Sequence, residues 1–270
     1  MGVARSEADI TDQEAVIRTI DRYPSDVVIN TAAYTNVDQA ETDQDNAMAV
    51  NRDGPGYLAE ACANKHLPLI HVSTDYVFNG KGSRPYKEDD PIEPLGVYGR
   101  SKALGESRIR ETLDRHVIIR TSWLYGVHGR NFVKTMLRIG AERQVISVVN
   151  DQTGCPTFAG DLAQAIIRAA TVIHQDSQGL FGTYHFCNQG QVTWHGFAEA
   201  IFELVQGRIP LAVERVQAIT SDEYPTPVRR PAYSVLDTAK FTRTFGYTPP
   251  HWRDSLATML EETLASQNLP

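Results

Sequence analysis

Two side chains that could perform acid–base chemistry lie four residues apart near the middle of the sequence. Tyr98 and Lys102 enclose the segment Tyr-Gly-Arg-Ser-Lys, and helical residues at this spacing share one face and can touch. A phenol has a pKa of about 10, and a neighbouring ammonium group favours the phenolate and lowers that pKa. The pair is therefore predicted to protonate a carbonyl oxygen while a hydride reaches the carbon. The spacing alone is weak, because an exposed tyrosine beside an exposed lysine gives the same pattern.

A hydroxyl-rich segment supports this chemistry. Ser73-Thr74-Asp75-Tyr76-Val77-Phe78 follows a continuous apolar run, and ligands of doubly wound folds bind at the carboxyl ends of such strands. Thr74 could donate a hydrogen bond to the same oxygen as Tyr98, although a Ser/Thr turn that caps the strand end is the alternative. The Gly- and Pro-containing loop 79–96 is expected to return the chain so that Tyr98 lies beside Thr74.

The elements that must position these groups alternate between helix and strand. Thr11 and Glu14 form a capping-box pattern that predicts a helix from about residue 12, ended by Pro24. Helices are further predicted over 44–64 and 98–113, and buried parallel strands over 27–29, 67–72 and 117–119. This alternation predicts an α/β fold with a doubly wound parallel sheet, which is Rossmann-like.

The regular alternation of predicted helices and strands ends at about residue 150. Turn-forming segments, including the proline-rich run 224–231, interrupt the alternation, while helices are still predicted over 159–172, 194–206 and 252–266. We therefore predict a first domain over 1–150 and a smaller substrate-binding lobe over 151–270 that packs on it.

Composition excludes several classes of function. The net charge of −7 and the lack of a basic run argue against nucleic acid as a partner. No apolar stretch reaches the length of a membrane span, and the N-terminus has no apolar signal core, so a cytoplasmic location is expected. Cys62, Cys155 and Cys187 have no CxxC spacing and are expected to be buried and free, and the eight histidines show no HxxxH pattern, so no protein-built metal site is expected.

Several motifs in order along the chain resemble the extended short-chain dehydrogenase/reductase family. They are the segments 9–11, 30–41, 73–78, 98–102, 120–125, 131–132 and 229–231. The similarity is strongest to the nucleotide-sugar reductases of that family. It implies hydride transfer from NADPH or NADH to C4 of a dTDP-4-dehydro sugar, with residues 1–150 as the NAD(P)-binding domain.

The resemblance also implies individual roles. Tyr98 would be the proton donor, Lys102 would tune its pKa and bind the cofactor ribose, Thr74 would be a second donor to the C4 oxygen, and Asp75 would support the site. The residues implied to bind the cofactor are Asp9 and Ile10 at the adenine, and Ala32, Ala33 and Tyr34 in the groove.

For the substrate, the resemblance implies that Trp123 stacks on the sugar and that Asn131 and Arg230 bind the diphosphate. The planar guanidinium groups of Arg229 and Arg230 suit phosphate oxygens. Core packing for Trp123 and a solvated charge pair for the two arginines remain the alternatives.

One expected feature of the family is absent from the sequence. The resemblance implies a first strand and a glycine-rich turn that binds the cofactor pyrophosphate, but no GxGxxG or GxxGxxG occurs in these 270 residues. We expect the first βα unit to be missing, strand 27–29 to lose a neighbour, and NAD(P)H to bind weakly. The residues that would distinguish NADH from NADPH belong to the same missing part.

Two other functions stay open. A non-catalytic, regulatory member of the family would explain the lack of a glycine-rich turn, and another nucleotide-sugar reductase or epimerase would share the Tyr98 and Lys102 pair. The resemblance further suggests a homodimer and Mg²⁺ at a dimer contact, for which no ligands can be assigned.

Overall fold

The chain forms nine α-helices and ten strands within the residues that the computed structural model describes, 1–175 and 179–267. The helices are α1 Gln13–Arg22, α2 Gln44–Met48, α3 Gly54–Asn64, α4 Val97–Thr112, α5 Phe132–Glu142, α6 Ala159–Gln175, α7 Trp194–Val205, α8 Ala239–Phe245 and α9 Trp252–Gln267. The strands are β1 Val28–Asn30, β2 Leu69–Thr74, β3 His116–Thr121, β4 Leu124–Tyr125, β5 Val145–Val149, β6 Thr153–Gly154, β7 Thr157–Phe158, β8 Gly182–His185, β9 Val192–Thr193 and β10 Arg215–Ile219.

A parallel sheet of four strands, in the order β1-β2-β3-β8, supports the first half of the chain. Alternate residues of a strand point to opposite faces, and both faces of this sheet are covered. Ile70 and Ile119 pack with α6 and α8 on one face, while Leu69 and Ile118 pack with α3 and α4 on the other. The predicted doubly wound parallel α/β class is therefore confirmed.

The edge strand β1 differs from its prediction. A strand buried on both faces was expected over 27–29, but β1 runs over Val28–Asn30 and the side chain of Ile29 is 44% exposed. Among the described residues β1 pairs on one side only, with β2. Strands at a sheet edge have less cover than central ones, which explains the exposure.

The start of α1 also differs in detail. Asp12, and not Thr11, is the N-cap residue: its carboxylate accepts from the amide of Ala15 at 3.0 Å. Thr11 instead donates its hydroxyl to Asp9 at 2.8 Å. The predicted helix is present, but the expected capping box is wrong, because Asp9 accepts from both donors of Thr11.

A second core lies in the later part of the chain. Helices α5, α7 and α9 pack together with β5 and β10 around Phe197 and Leu256. However, β8 and α6 return to the first sheet, so a single boundary at residue 150 does not describe the arrangement. Residues 176–178 and 268–270 of the predicted lobe lie outside the described residues. No helix within the described ranges is both long and apolar enough to cross a membrane.

Candidate functional site

The site lies where β2 ends and α4 begins. After Thr74, a short 3₁₀ segment, Asp75–Val77, turns the chain away from the sheet. Helix α4 approaches this segment so closely that a Cβ at Gly99 would collide with the carbonyl oxygen of Tyr76. The first amide of α4, at Val97, donates to the carboxylate of Glu41 at 2.6 Å. These contacts fix the start of the helix that carries Tyr98 and Lys102.

The structure brings Thr74, Asp75 and Tyr98 together, as the sequence predicts. The hydroxyl of Thr74 donates to Asp75 Oδ1 at 3.1 Å and accepts from the amide of Tyr76 at 3.2 Å. It also lies beside the Tyr98 phenol and favours the charged form of that phenol. Burial raises the pKa of Asp75 to about 6, although the hydroxyls of Ser234 and Thr74 favour its charged form. The second oxygen of Asp75, Oδ2, is buried and has no hydrogen-bond partner among the described residues.

Lys102 does not act on Tyr98 in the way that its spacing predicts. Its Nζ donates to the carbonyl of Val72 at 2.7 Å and lies 3.1 Å from Nε2 of His71. Burial lowers the pKa of Lys102 to about 8, partly offset by the charge of Glu106. Burial also raises the pKa of Tyr98, so the expected lowering of that pKa is wrong for this arrangement of side chains.

A buried ion pair lies behind the lysine. Arg120 on β3 makes two hydrogen bonds with Glu106 on α4, at 2.9 and 2.7 Å, and both side chains are almost fully buried. Ser73 donates its hydroxyl to the same carboxylate at 2.6 Å. Burial opposes ionisation of Glu106, but the bonds to Arg120 outweigh it and lower its pKa. This network joins β2, β3 and α4 at the level of Lys102.

The residues predicted to bind the cofactor form two groups: one follows β1, and the other precedes α1. Ala32, which is exposed, donates its amide to Asn30 Oδ1 at 2.9 Å, and Tyr34 is fixed through two backbone bonds to Asn51. Ala33 is half-buried between them. Ile10 packs against Gly54, and Asp9 is bonded to Thr11 and Arg5.

Trp123 packs on another tryptophan. Its ring is stacked on Trp194 with 3.5 Å between ring centroids, and its backbone has a φ of 46°. The left-handed region is strained for a bulky residue, and such strain persists only where the surroundings impose it. The indole is half-buried, and packing against Gly154 leaves no space for a Cβ there. Stacking of Trp123 on a sugar remains a prediction.

Of the two predicted diphosphate ligands, Arg230 and Asn131, Arg230 is nearer to Tyr98. Its guanidinium bonds Asp38 at 2.9 Å and the hydroxyl of Tyr76 at 3.4 Å, and the Tyr76 ring lies edge-on to Tyr98 with 5.6 Å between centroids. Asn131 instead caps α5: its side chain accepts from Lys134 and donates to the carbonyl of Gly126. A diphosphate at Asn131 would compete with these bonds.

Comparison with known proteins identifies the family. The model of the RmlD substrate binding domain matches residues 1–265. The chain is 46% identical to a dTDP-4-dehydrorhamnose reductase of Aggregatibacter actinomycetemcomitans, over 93% of this chain and 86% of that protein. It is 42% identical to one of Burkholderia thailandensis, over 97% of this chain and 90% of that protein. The chain belongs to the dTDP-4-dehydrorhamnose reductase family.

A solved member of this family has the same fold. The crystal structure of dTDP-4-dehydrorhamnose reductase from Bacillus anthracis in complex with NADP superimposes with a TM-score of 0.89 at 36% identity. The superposition covers 97% of this chain and 89% of the other. The resemblance drawn from the sequence motifs and the Rossmann-like parallel α/β fold are thereby confirmed.

Metal ligands are not brought together in the described part of the chain. No group of three or more His, Cys, Asp or Glu side chains there could hold a metal ion. The Mg²⁺ that the family resemblance suggested therefore has no support. Cys62, Cys155 and Cys187 are buried and free, as expected.

Sequence reasoning missed several residues that contact the predicted site residues. Tyr76 and Asp38 hold Arg230, Trp194 stacks on Trp123, and His71 contacts Lys102. Tyr76 and Asp38 lie inside segments singled out as motifs, and His71 is a polar residue within an apolar strand. That placement is the signal that could have identified His71, since a polar side chain in a buried strand needs a partner.

Proposed function

We propose that this chain reduces C4 of dTDP-4-dehydro-L-rhamnose with a hydride from NADPH or NADH. The observation that carries the proposal is the Tyr98 phenol beside Thr74 at the carboxyl end of β2, with Lys102 one turn further along α4. Two hydroxyl groups that converge at the end of a parallel strand suit the protonation of a carbonyl oxygen. The names of the relatives support the substrate.

The residues fit one part of the nicotinamide cofactor. The orphan carboxylate oxygen of Asp75 and the Thr74 and Tyr98 hydroxyls form a polar patch at the reacting end, where Lys102 could bind a ribose. The exposed Ala32 and half-buried Ala33 leave an open surface beyond β1. These 270 residues hold no glycine-rich turn for the pyrophosphate. When bound, the cofactor supplies the hydride.

The roles of the side chains follow from their bonds. Tyr98 would give its proton to the C4 oxygen, and Thr74 would hold that oxygen by turning its hydroxyl away from Asp75. Arg230 would bind a phosphate oxygen of the dTDP group by sharing or exchanging its bond to Asp38. Trp123 and Trp194 would offer an aromatic surface to the sugar.

The test compares two forms of the protein. One is the chain as given, and the other, called the extended form, carries a glycine-rich strand–turn–helix from another family member before Met1. Each is mixed with dTDP-4-dehydro-L-rhamnose and NADPH or NADH, and loss of absorbance at the nicotinamide band and the product are measured. Formation of dTDP-L-rhamnose by the extended form is expected.

The same assay tests the alternatives. An extended form that binds the reduced cofactor and the dTDP-sugar without turnover would favour the non-catalytic, regulatory function. A product epimerised at another carbon, or turnover with other nucleotide sugars only, would favour the other enzymes of this fold.

A further inference from the structure

A row of buried polar groups runs from β1 to Lys102 across the sheet. The amide of Ala32 donates to Asn30 Oδ1 at 2.9 Å, and Asn30 Nδ2 lies 2.9 Å from His71 Nδ1. His71 Nε2 lies 3.1 Å from Lys102 Nζ. Asn30, His71 and Lys102 are all buried, so water cannot replace a bond that is missing.

The direction of each hydrogen bond in this row is fixed from its β1 end. A backbone N–H can only donate, so the oxygen of Asn30 must face Ala32 and its NH₂ group must face His71. Nδ1 of His71 therefore accepts, and its ring proton lies on Nε2. That N–H points at Lys102.

Lys102 can complete this row only as a neutral amine. An ammonium group has three N–H donors and no lone pair, so it cannot accept a hydrogen bond from the Nε2–H of His71, and two donors would face each other. A neutral amine has one lone pair, which accepts from His71, and an N–H that donates to the Val72 carbonyl at 2.7 Å. Burial shifts Lys102 toward the same form by lowering its pKa to about 8, so the neutral amine predominates only above that pH, and burial keeps His71 uncharged.

We infer that Asn30 and His71 are positioning residues that hold Lys102 as a neutral amine at the position seen here, and that the charged form of Lys102 must leave His71. Proton uptake from water turns the amine into ammonium and removes the lone pair that holds this bond. The released ammonium group is then free to act on Tyr98, one turn earlier on α4. The inference deepens the proposed function and rests on it for the role of Tyr98.

Other ionisable groups around α4 do not provide this control. Glu106, on the same helix, favours the ammonium form, but it is bound to Arg120 of β3 and to Arg110. On the segment Ala49–Asp53, Arg52 and Asp53 pair with each other. Asp75 and Tyr76 of the 3₁₀ segment act on Tyr98. From β2, His71 faces Lys102 directly.

Two other buried histidines provide an internal comparison. Nδ1 of His116 lies 2.5 Å from the carbonyl of Leu113, and Nδ1 of His185 lies 3.0 Å from the carbonyl of Tyr86. A carbonyl can only accept, so both rings carry the proton on Nδ1 when neutral. His71 is therefore expected to be the opposite tautomer to these two.

The experiment uses NMR on the chain as given, so it requires no turnover. Nitrogen-15 shifts of the histidine rings report the tautomers, and the shift of the Lys102 side chain against pH reports its protonation. We expect the proton of His71 on Nε2 and those of His116 and His185 on Nδ1. A His71 ring protonated on Nδ1 would overturn the inference.

The substitution Asn30→Asp separates positioning from simple packing. A carboxylate of the same shape accepts from Ala32 and from Nδ1–H of His71, which turns Nε2 into an acceptor for ammonium. The Lys102 titration midpoint is expected to rise by about one pH unit or more, while Asn64→Asp, at the exposed end of α3, should leave it unchanged. An unchanged midpoint in folded Asn30→Asp would contradict the inference.

A second variant covers the case in which Asn30→Asp does not fold. In His71→Gln the amide oxygen can accept from the ammonium form, so the Lys102 midpoint should again rise. If Lys102 behaves as inferred and the extended form has no reductase activity, the proposed function fails while the inference stands.

Discussion

Thr74 has one hydroxyl proton, and two groups at the site compete for it. The hydroxyl donates to Asp75 Oδ1 at 3.1 Å, while its contact with the Tyr98 phenol favours the phenolate, which can only accept. The amide of Tyr76 donates to the same hydroxyl. A carbonyl oxygen placed between the two hydroxyls would accept from Thr74 and take the phenol proton of Tyr98.

Replacement of Tyr98 by Phe removes this proton and little else. In the extended form, turnover of dTDP-4-dehydro-L-rhamnose should fall by roughly 10²–10⁴-fold, as for loss of a general acid. The control is Tyr247→Phe, because Tyr247 packs on the opposite core beside α6 and α8. Near wild-type turnover by Tyr98→Phe would remove Tyr98 from the mechanism.

Asp75 should make stability depend on pH. Burial raises its pKa to about 6, above the ordinary value of 3.8, so the folded state holds the proton more tightly than the unfolded state. The free energy of unfolding must then fall as pH rises from about 4 through 6. Asp75→Asn removes this loss, and it should be more stable than the wild type by about 1–3 kcal/mol at pH 8 and nearly equal at pH 4.

Urea unfolding across this pH range measures the effect, with the exposed Asp26→Asn as the control. If the free energy of unfolding changes with pH in the same way for the wild type and Asp75→Asn, folding does not raise the pKa of Asp75, and the prediction is wrong. A fall in turnover of Asp75→Asn in the extended form is expected alongside the gain in stability, since functional sites often hold such strain.

At the scale of elements, α4 is held by one buried ion pair and by close backbone approach. Arg120→Met should leave the Glu106 carboxylate buried without its main partner and cost about 3–5 kcal/mol of unfolding free energy. The double variant Arg120→Met, Glu106→Leu should recover much of that loss, because no charge is then buried. Urea unfolding provides both values.

The control for this pair is Arg18→Met on α1. Arg18 and Glu14 form an exposed pair at 3.2 Å, and exposed pairs contribute about 0–1 kcal/mol. If Arg120→Met lowers the free energy of unfolding as little as Arg18→Met does, Arg110 and Ser73 alone are enough to stabilise the buried carboxylate of Glu106.

Arg230 links a late segment of the chain to two early ones. In the extended form, Arg230→Ala should raise the KM for the dTDP-sugar by roughly tenfold or more, from loss of a charged hydrogen bond, with a smaller fall in kcat. The control is Arg138→Ala, on the exposed side of α5. An unchanged KM together with lower stability would make Arg230 a bridge to Asp38 and not a substrate ligand.

Most elements near the site could be predicted from the sequence, because hydrophobic spacing and turn residues encode them locally. Helix 98–113 and strand 117–119 match α4 and β3 within a few residues. Helix 44–64 was predicted as continuous, but π-helical geometry over Ala49–Asp53 interrupts it, where the side chain of Asn51 reaches Tyr34 and Ser101. That interruption depends on a distant contact, which local periodicity does not encode.

The direction of Lys102 could not be predicted for the same reason. Spacing alone places it beside Tyr98, but His71 lies on a strand 31 residues earlier and competes for the amine. Helix α5 is also missing from the sequence prediction, although its sequence carries local helix signals: Asn131 is its N-cap, and apolar residues recur along one face.

At the scale of the whole molecule, β8 and α6 join the later part of the chain to the first sheet. Arg120 extends this link, since it bonds the carbonyl of Glu88 at 3.3 Å and lies 3.4 Å from His185. Residues before and after position 150 also meet close to Tyr98, where Arg230 bonds Asp38 and the hydroxyl of Tyr76.

Cofactor binding by the chain as given should be weak. The pyrophosphate is the most highly charged part of NADPH and NADH, and in this fold it is bound by amides of a glycine-rich turn at a helix N-terminus. These 270 residues contain no such turn, and the described residues pair no strand to the outer edge of β1. Lys102 and the surface beyond Ala32 could contact the ribose and adenine, but the phosphates would stay in water.

Calorimetric titration of this chain with each reduced cofactor should therefore give a dissociation constant in the millimolar range, or about −4 kcal/mol. Titration of the extended form is the matched comparison, and it should bind at least one of the two cofactors much more tightly. Urea unfolding of both forms provides the control for correct folding, since it does not depend on any ligand. A micromolar constant for NADPH or NADH with the chain as given would mean that another segment binds the pyrophosphate.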